Sequence, residues 1–147
     1  MAKMFFLSLP VKDVAKSTAF YEAVGATKNP MFSNEATSCM VFSEAIYIML
    51  LSHERMGDFI DRRIIDPRTE IQALFTFSAD SRNDVDQTVE RAAAAGGRAD
   101  INEKDDYGWM YGRSFEDLDG HCFGVNWMDF EAATKAMPQS EPASTPM

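Results

Sequence analysis

Residues 108–129 read GWMYGRSFEDLDGHCFGVNWMD, and the pattern within them decides the fold. Residues 110–115 and 121–127 are rich in aromatic and β-branched side chains, which suit a pleated, half-buried surface. Asp119-Gly120 lies between them, and a glycine after an aspartate suits a tight turn that needs positive φ. The stretch therefore predicts a β-hairpin.

Upstream of the hairpin, residues 71–78 alternate, with Ile71, Ala73, Phe75 and Phe77 opposite Gln72, Leu74, Thr76 and Ser78. Ser81 and Asp84 form a start like a capping box, Val85, Val89, Ala92 and Ala93 make an apolar stripe, and Gly96-Gly97 end the helix. The opening of the chain has the same order. Residues 4–11 alternate, with Leu7, Leu9 and Val11 among the apolar set, and Pro10 marks a strand end or a sheet edge. Asp13 caps a helix bearing Val14, Ser17, Phe20, Tyr21 and Val24 at helical spacing, and Gly25 stops it. Leu7 aligned with Phe75 gives an internal offset of 68 residues. Residues 38–42 and 45–51 read as two strands joined at Ser43-Glu44, so each copy runs strand, helix, further strands.

This predicts an α+β fold of paired βαβββ modules, each too small to bury its own sheet, so that the two share one interior. The domain spans residues 1–128, with modules at about 1–52 and 71–128 and a charged linker at 53–70, where a short helix and a lid or crossover fit. Residues 129–137 suit a short helix, and 138–147 (PQSEPASTPM) have the composition of a disordered tail.

A chain of 147 residues with 46% apolar content can bury a real core without disulfide or metal staples. Its net charge of −9 repels a phosphate backbone, so neither nucleic acid nor an anionic membrane is an expected partner. No apolar run approaches the roughly 20 residues that span a bilayer, and no leader is legible, so a cytoplasmic location is expected. Cys39 and Cys122 lie far apart and read as free thiols.

The segments LPVKDVAKSTAFYEAVGA, FTFSADSRNDVDQTVERAAAAGG and YGRSFEDLDGHCF resemble the vicinal oxygen chelate superfamily. That superfamily contains glyoxalase I, extradiol dioxygenases, fosfomycin-resistance enzymes and bleomycin-binding proteins. The start, MLL, AAGG and the YGRSF…DGH ending are similar to a branch described as predicted lactoylglutathione lyases. The resemblance implies curved sheets forming a cup, often in a homodimer. Metal-dependent members hold a cation with one His, Gln or Glu from each of four strands. The matching positions here are Phe6, Met49, Leu74 and Gly124, none of which donates to a divalent cation. No metal or other cofactor is therefore expected. In the branch an acidic residue often stands at the fourth position, where this chain reads His121-Cys122-Phe123-Gly124.

Without those donors the cup reads as a pocket lined by Phe6, Ser8, Tyr47, Met49, Leu74, Thr76, Gly124 and Asn126, suited to a small organic molecule; the same side chains could equally be filling. Tyr107, Trp109, Tyr111 and Arg113 recur at every second residue, where rings could stack on a planar ligand and Arg113 hold an anion, or where sheet packing or a dimer contact would use them. Cys122 shares parity with Gly124 and Asn126, whereas His121 points the other way and is badly placed to activate it. His53, Glu54 and Glu44, and His121 with Asp117 and Asp119, read as solvated groups. The expected function is metal-free binding of a small organic molecule. The alternatives are a glyoxalase-like lyase or isomerase using Tyr47, Arg113 or Cys122, and an interaction or dimerisation module.

Overall fold

Alternation carries the chain straight from Phe5 to Val11 as β1, and the Asp13 carboxylate accepts the Lys16 N–H to start α1, Val14–Val24. Gly25, at φ 125°, ends that helix in a conformation L side chains rarely adopt. β2 (Thr27–Lys28), a 3-10 turn at Pro30–Phe32, β3 (Thr37–Val41), β4 (Ile46–Ser52) and α2 (His53–Gly57) follow. Beyond an irregular connection come β5 (Leu74–Ser78), α3 (Arg82–Ala94), β6 (Arg98–Ala99), β7 (Asp105–Asp106), β8 (Met110–Glu116), β9 (Cys122–Met128) and α4 (Phe130–Ala136). This computed structural model describes residues 2–136; the tail expected at 138–147 and the end of the helix expected at 129–137 lie outside the described residues.

The first sheet has the order β1-β4-β3-β2, with β1 parallel to β4 and the other pairs antiparallel. The second repeats it as β5-β9-β8-β6, with β5 parallel to β9 and β7 also pairing with β8. The two-residue strands β2, β6 and β7 are too short to show periodicity, which is why the sequence reading does not contain them. β5 begins at Leu74 and not at residue 71, because its partner strand begins opposite it at Cys122.

Each sheet turns one face onto the helices, and the two helix-covered faces share one core. Leu9, Val11, Phe20, Tyr21, Ile48 and Leu50 from the first half are buried in the same cluster as Val85, Val89, Phe115, Phe123 and Val125 from the second. Aromatic rings bridge the halves: Tyr21 meets Phe123 edge-on at 5.9 Å, and Phe42 stacks on Phe77 at 4.7 Å. Of the apolar stripe expected on α3, Val85, Val89 and Ala92 are buried, and Ala93 faces solvent.

The turn of the β8–β9 hairpin is a five-residue loop, residues 117–121, closed by the Asp117 N–H on the His121 carbonyl at 3.1 Å, with Gly120 at φ 97°. It corrects the reading of Asp117 and His121 as solvated, since each is 2% exposed. Asp117 accepts the Tyr21 hydroxyl at 2.6 Å and the His121 N–H at 2.8 Å, while the His121 Nε2–H donates to the Pro10 carbonyl at 2.8 Å. Burial pushes the Tyr21 hydroxyl well above its ordinary value, which keeps it a neutral donor. The loop thus ties the second sheet to α1 and the end of β1. No helix among the described residues is long and apolar enough to cross a membrane.

Candidate functional site

The faces turned away from the helices are where side chains are left over for function. On the first sheet they carry Phe6, Ser8 and Pro10 of β1 and, paired beside them, Tyr47, Met49 and Leu51 of β4. Phe6 is 54% exposed, whereas Leu9 on the other face is fully buried. The Phe6 and Tyr47 rings stack at 4.7 Å and 14°, and the Tyr47 hydroxyl donates to the Glu44 carbonyl at 3.1 Å. Over this face the 3-10 turn and α2 with the residues after it border an open cavity of about 540 Å³, lined by Ser8, Met49, Leu51, Phe32, Met56 and Phe59. Arg55 at its rim is held by Asp58 at 2.9 Å and lies over the Phe59 ring at 4.6 Å. Such a space offers apolar contact and few directing groups, the usual make-up of an organic ligand site.

The corresponding face of the second sheet is polar. Leu74, Thr76, Ser114, Gly124 and Asn126 line a shallow cavity of about 100 Å³. Two glycines make it shallow: a Cβ at Gly112 would come within 2.4 Å of the Asn126 Oδ1, and one at Gly124 within 3.0 Å of the Thr76 Oγ1. The side-chain amide and the hydroxyl can therefore lie flat on the sheet.

The residues expected to form one pocket are split between these faces. Phe6, Ser8, Tyr47 and Met49 lie on the first sheet, and Leu74, Thr76, Cys122, Gly124 and Asn126 on the second, and the two cavities share no residue. The physical reason is that β1 and β5 are outer strands of separate sheets, joined through the core on the helix side and through the hairpin loop at the end of β1 and not edge to edge.

Tyr111 and Arg113, expected beside a planar or anionic ligand, are engaged by α3 and the residues after it instead. Arg113 borders the shallow cavity, but alternation turns its guanidinium to the face shared with the buried Phe115, against α3. There it bonds Asp100 at 2.8 and 3.0 Å, Asp86 at 3.0 Å and Glu90 at 2.9 Å. Tyr111 donates to Asp86 at 2.6 Å, and Arg82 lies over the Tyr111 and Trp127 rings while binding Asp106, whose carboxyl it holds down at about 2. Trp109 stacks on Tyr107 at 5.6 Å. Tyr111, Arg113 and Arg82 brace α3 and the β7–β8 turn, and their bonds leave Arg113 no free donor face for a ligand.

Burial pushes the thiols of Cys39 and Cys122 up, with Glu116 adding to the effect at Cys122, so neither is an activated thiolate. Cys122 donates to the Gly120 carbonyl, and the His121 ring is committed to Pro10. Phe6, Met49, Leu74 and Gly124 supply a stacked ring, a thioether, an exposed hydrocarbon and no side chain, a set that does not fit a divalent cation. Among the described residues no group of three or more His, Cys, Asp or Glu side chains is placed to hold a metal.

Two βαβββ-like halves around one core, each presenting a curved outer face, define an α+β protein of the cup-forming kind. Residues 3–125 match the family described as glyoxalase/bleomycin resistance protein/dioxygenase superfamily, and the chain belongs to it. Among solved structures it is similar to a hypothetical protein, SA1046, from S. aureus, at 23% identity and TM-score 0.71 over 86% of this chain and 95% of that one. A glyoxalase/bleomycin resistance protein/dioxygenase family enzyme from Burkholderia phytofirmans PsJN gives 19% identity and TM-score 0.72, over 87% and 100%. The fosfomycin resistance protein FosX from Listeria monocytogenes gives 22% and 0.61, over 89% and 97%. No curated protein matches the chain.

Proposed function

We propose that this chain binds a small organic molecule without a metal, on the apolar face of its first sheet. The observation that carries this reading is the cavity of about 540 Å³ over Ser8 and Met49, lined largely by hydrocarbon, thioether and aromatic groups, with the Met49 thioether at one of the positions where a cation-binding relative needs a donor. Its occupant is held by shape, with Ser8 and Thr37 available to orient it. The acidic chain, at −9, draws cationic ligands electrostatically.

The reading extends to a cytoplasmic homodimer. Phe5, Phe6, Ile71 and Leu74 are 60, 54, 73 and 58% exposed on or beside the two outer strands, more apolar surface than a lone sheet edge usually leaves uncovered. A second copy that laid its polar Thr76–Asn126 face opposite the Met49 face would complete the cup. The likeness to predicted lactoylglutathione lyases is kept as a likeness of sequence and not of reaction, because Tyr47, Arg113 and Cys122 are engaged by the fold as described.

The test is calorimetry with metal-free bleomycin, a cationic glycopeptide with planar rings, and with fosfomycin, alongside light scattering on the same samples. We expect a dimeric mass, binding of bleomycin and none of fosfomycin. Met49→Arg, which fills the cavity with a charge, should weaken bleomycin binding at least about tenfold. Unchanged affinity in Met49→Arg, or no binding of any cationic organic molecule in a broad panel, would sink the proposal. Trp109 and Trp127 stand by Tyr107 and Arg82, so their fluorescence reports on those contacts and not on the cavity.

A further inference from the structure

The connection between the two halves, residues 58–73, contains Arg62, Arg63 and Arg68 together with Ile64, Ile65 and Pro67, and it forms no regular helix or strand. Its early residues Phe59 and Ile60 line the cavity over the first sheet, and from Arg62 onward it runs past the end of β1 at Pro10. Beneath it lie two spaces of about 350 and 390 Å³, which share Pro10, Ile64, Ile65 and His121 as lining. Lys12, His53 and Arg68 border the first, and Arg62 and Arg63 the second.

Among the described residues Lys12, Arg62, Arg63 and Arg68 pair with no carboxylate, as is also true of Lys3, Lys16, Lys28, Arg91 and Lys104 elsewhere; what sets the first group apart is that it borders these two spaces. Two carboxylates border the first space, and both are occupied by other donors. Asp119 accepts the Lys12 backbone N–H at 2.8 Å and the Ser17 hydroxyl at 3.4 Å, and Asp66 accepts the Arg68 backbone N–H at 3.0 Å. Arg68 also donates from its guanidinium to the Leu118 carbonyl, which lays the side chain over the hairpin loop beside the space. The first space is bordered by Lys12, His53 and Arg68 against two carboxylates that already accept backbone N–H groups, so among the described residues the Lys12 and His53 side chains are left there without a partner, while Arg62 and Arg63 line the neighbouring space.

We propose that the first space is a binding site for a small organic anion, its acid group among Lys12, His53 and Arg68 and its apolar part against Ile64, Ile65 and Pro67. Arginine offers a planar fork of donors that fits a carboxylate or phosphate, lysine a compact charge, and a histidine ring at least one N–H. The volume lies within the range of small-molecule sites, about 300–1,000 Å³. A ligand here would also pin the connection to both sheets, because Pro10 belongs to the first and His121 to the loop of the second.

The experiment is calorimetric titration of the full chain with 2-naphthoate and 1-naphthyl phosphate, against the neutral 2-naphthalenemethanol. We expect the acids to bind at least about tenfold more tightly than the alcohol, and more weakly as salt is raised. Lys12→Gln and Arg68→Gln should each lower acid affinity by about tenfold, and Lys28→Gln, which removes a charge on the distant β2, should leave it unchanged. Arg68→Gln also loses the bond to Leu118, so its fold is checked by circular dichroism, and Lys12→Gln carries the test alone if that variant is disturbed. Equal binding of acid and alcohol, acid binding indifferent to Lys12→Gln, or no acid binding at about 1 mM would overturn the proposal. Such a failure leaves the cup reading standing, because the two sites share no residue.

Discussion

Phe123→Ala is expected to lower the free energy of unfolding by about 3–5 kcal/mol. The ring is fully buried and lies where the halves of the molecule meet. It stacks on Phe115 at 5.1 Å and 7° and on Phe77 at 5.8 Å and 5°, and it also touches Phe75 at 5.4 Å and Tyr21 at 5.9 Å. Truncation removes the transfer free energy of the ring and leaves a cavity among rings that cannot all move inward, because they are fixed to three different elements, β5, β8 and α1. Domains of this size commonly hold about 5–15 kcal/mol, so the variant should lose a large part of its reserve. Urea denaturation followed by circular dichroism measures it. A single cooperative transition at lower urea is the expected result. A loss below about 1 kcal/mol would mean that Phe123 does not join the two halves in one core.

Arg113→Met is expected to cost about 2–3 kcal/mol near neutral pH, and progressively less in acid. The guanidinium is 5% exposed, and its removal would leave Asp86, Glu90 and Asp100 facing one another across a vacated centre. Stranding the partners of a buried ion typically costs about 3–5 kcal/mol; here those partners are 45, 68 and 33% exposed and solvent relieves part of the loss. The pH dependence follows from the carboxyls. Hydrogen bonds from Arg113 hold Asp100 below its ordinary 3.8, and Asp86 is held down first by the Tyr111 hydroxyl and then by Arg113. A depressed aspartate contributes stability that is present above its unfolded value and is lost as pH falls through the folded one. The gap between the wild-type chain and Arg113→Met should therefore be full at pH 6–8 and shrink below about pH 4. A gap that is constant from neutral pH to pH 3, or absent throughout, would contradict the bracing role and reopen Arg113 as a ligand-binding group.

The contrast between these two residues shows what the chain makes legible. Phe123 sits in a strand whose alternation is strong, and the hairpin, both capped helices and the repeat follow from patterns local in sequence; α3 begins at Arg82, 68 residues after α1 begins at Val14, the offset given by Leu7 and Phe75. Arg113 belongs to the same alternation. Its parity with Phe115, which pairs with Phe123, already places it on the core face, but the run of aromatics at 107, 109 and 111 suggested a stacking surface instead. Its partners Asp86, Glu90 and Asp100 lie 13–27 residues away on α3 and the following loop, and no local pattern joins them. The split of the cup has a similar cause. Alternation fixes which side chains share a face of one sheet, but it carries no information about how the outer strands of two sheets stand to each other. Burial of Asp117 and His121 was hidden because a polar loop beside a turn is ordinarily solvated, and here Tyr21 and the Pro10 carbonyl satisfy it from the other half.

Within this family the account rests on one substitution of chemistry, a ring, a thioether, a hydrocarbon and a bare backbone at the positions that would otherwise carry metal donors. Calorimetric titration of the full chain with Ni(II), Zn(II) and Mn(II) tests it most directly. The account predicts no saturable heat at one ion per chain and no rise in melting temperature with any of the three. One ion bound per chain with Kd below about 1 µM, accompanied by a rise in melting temperature, would contradict it.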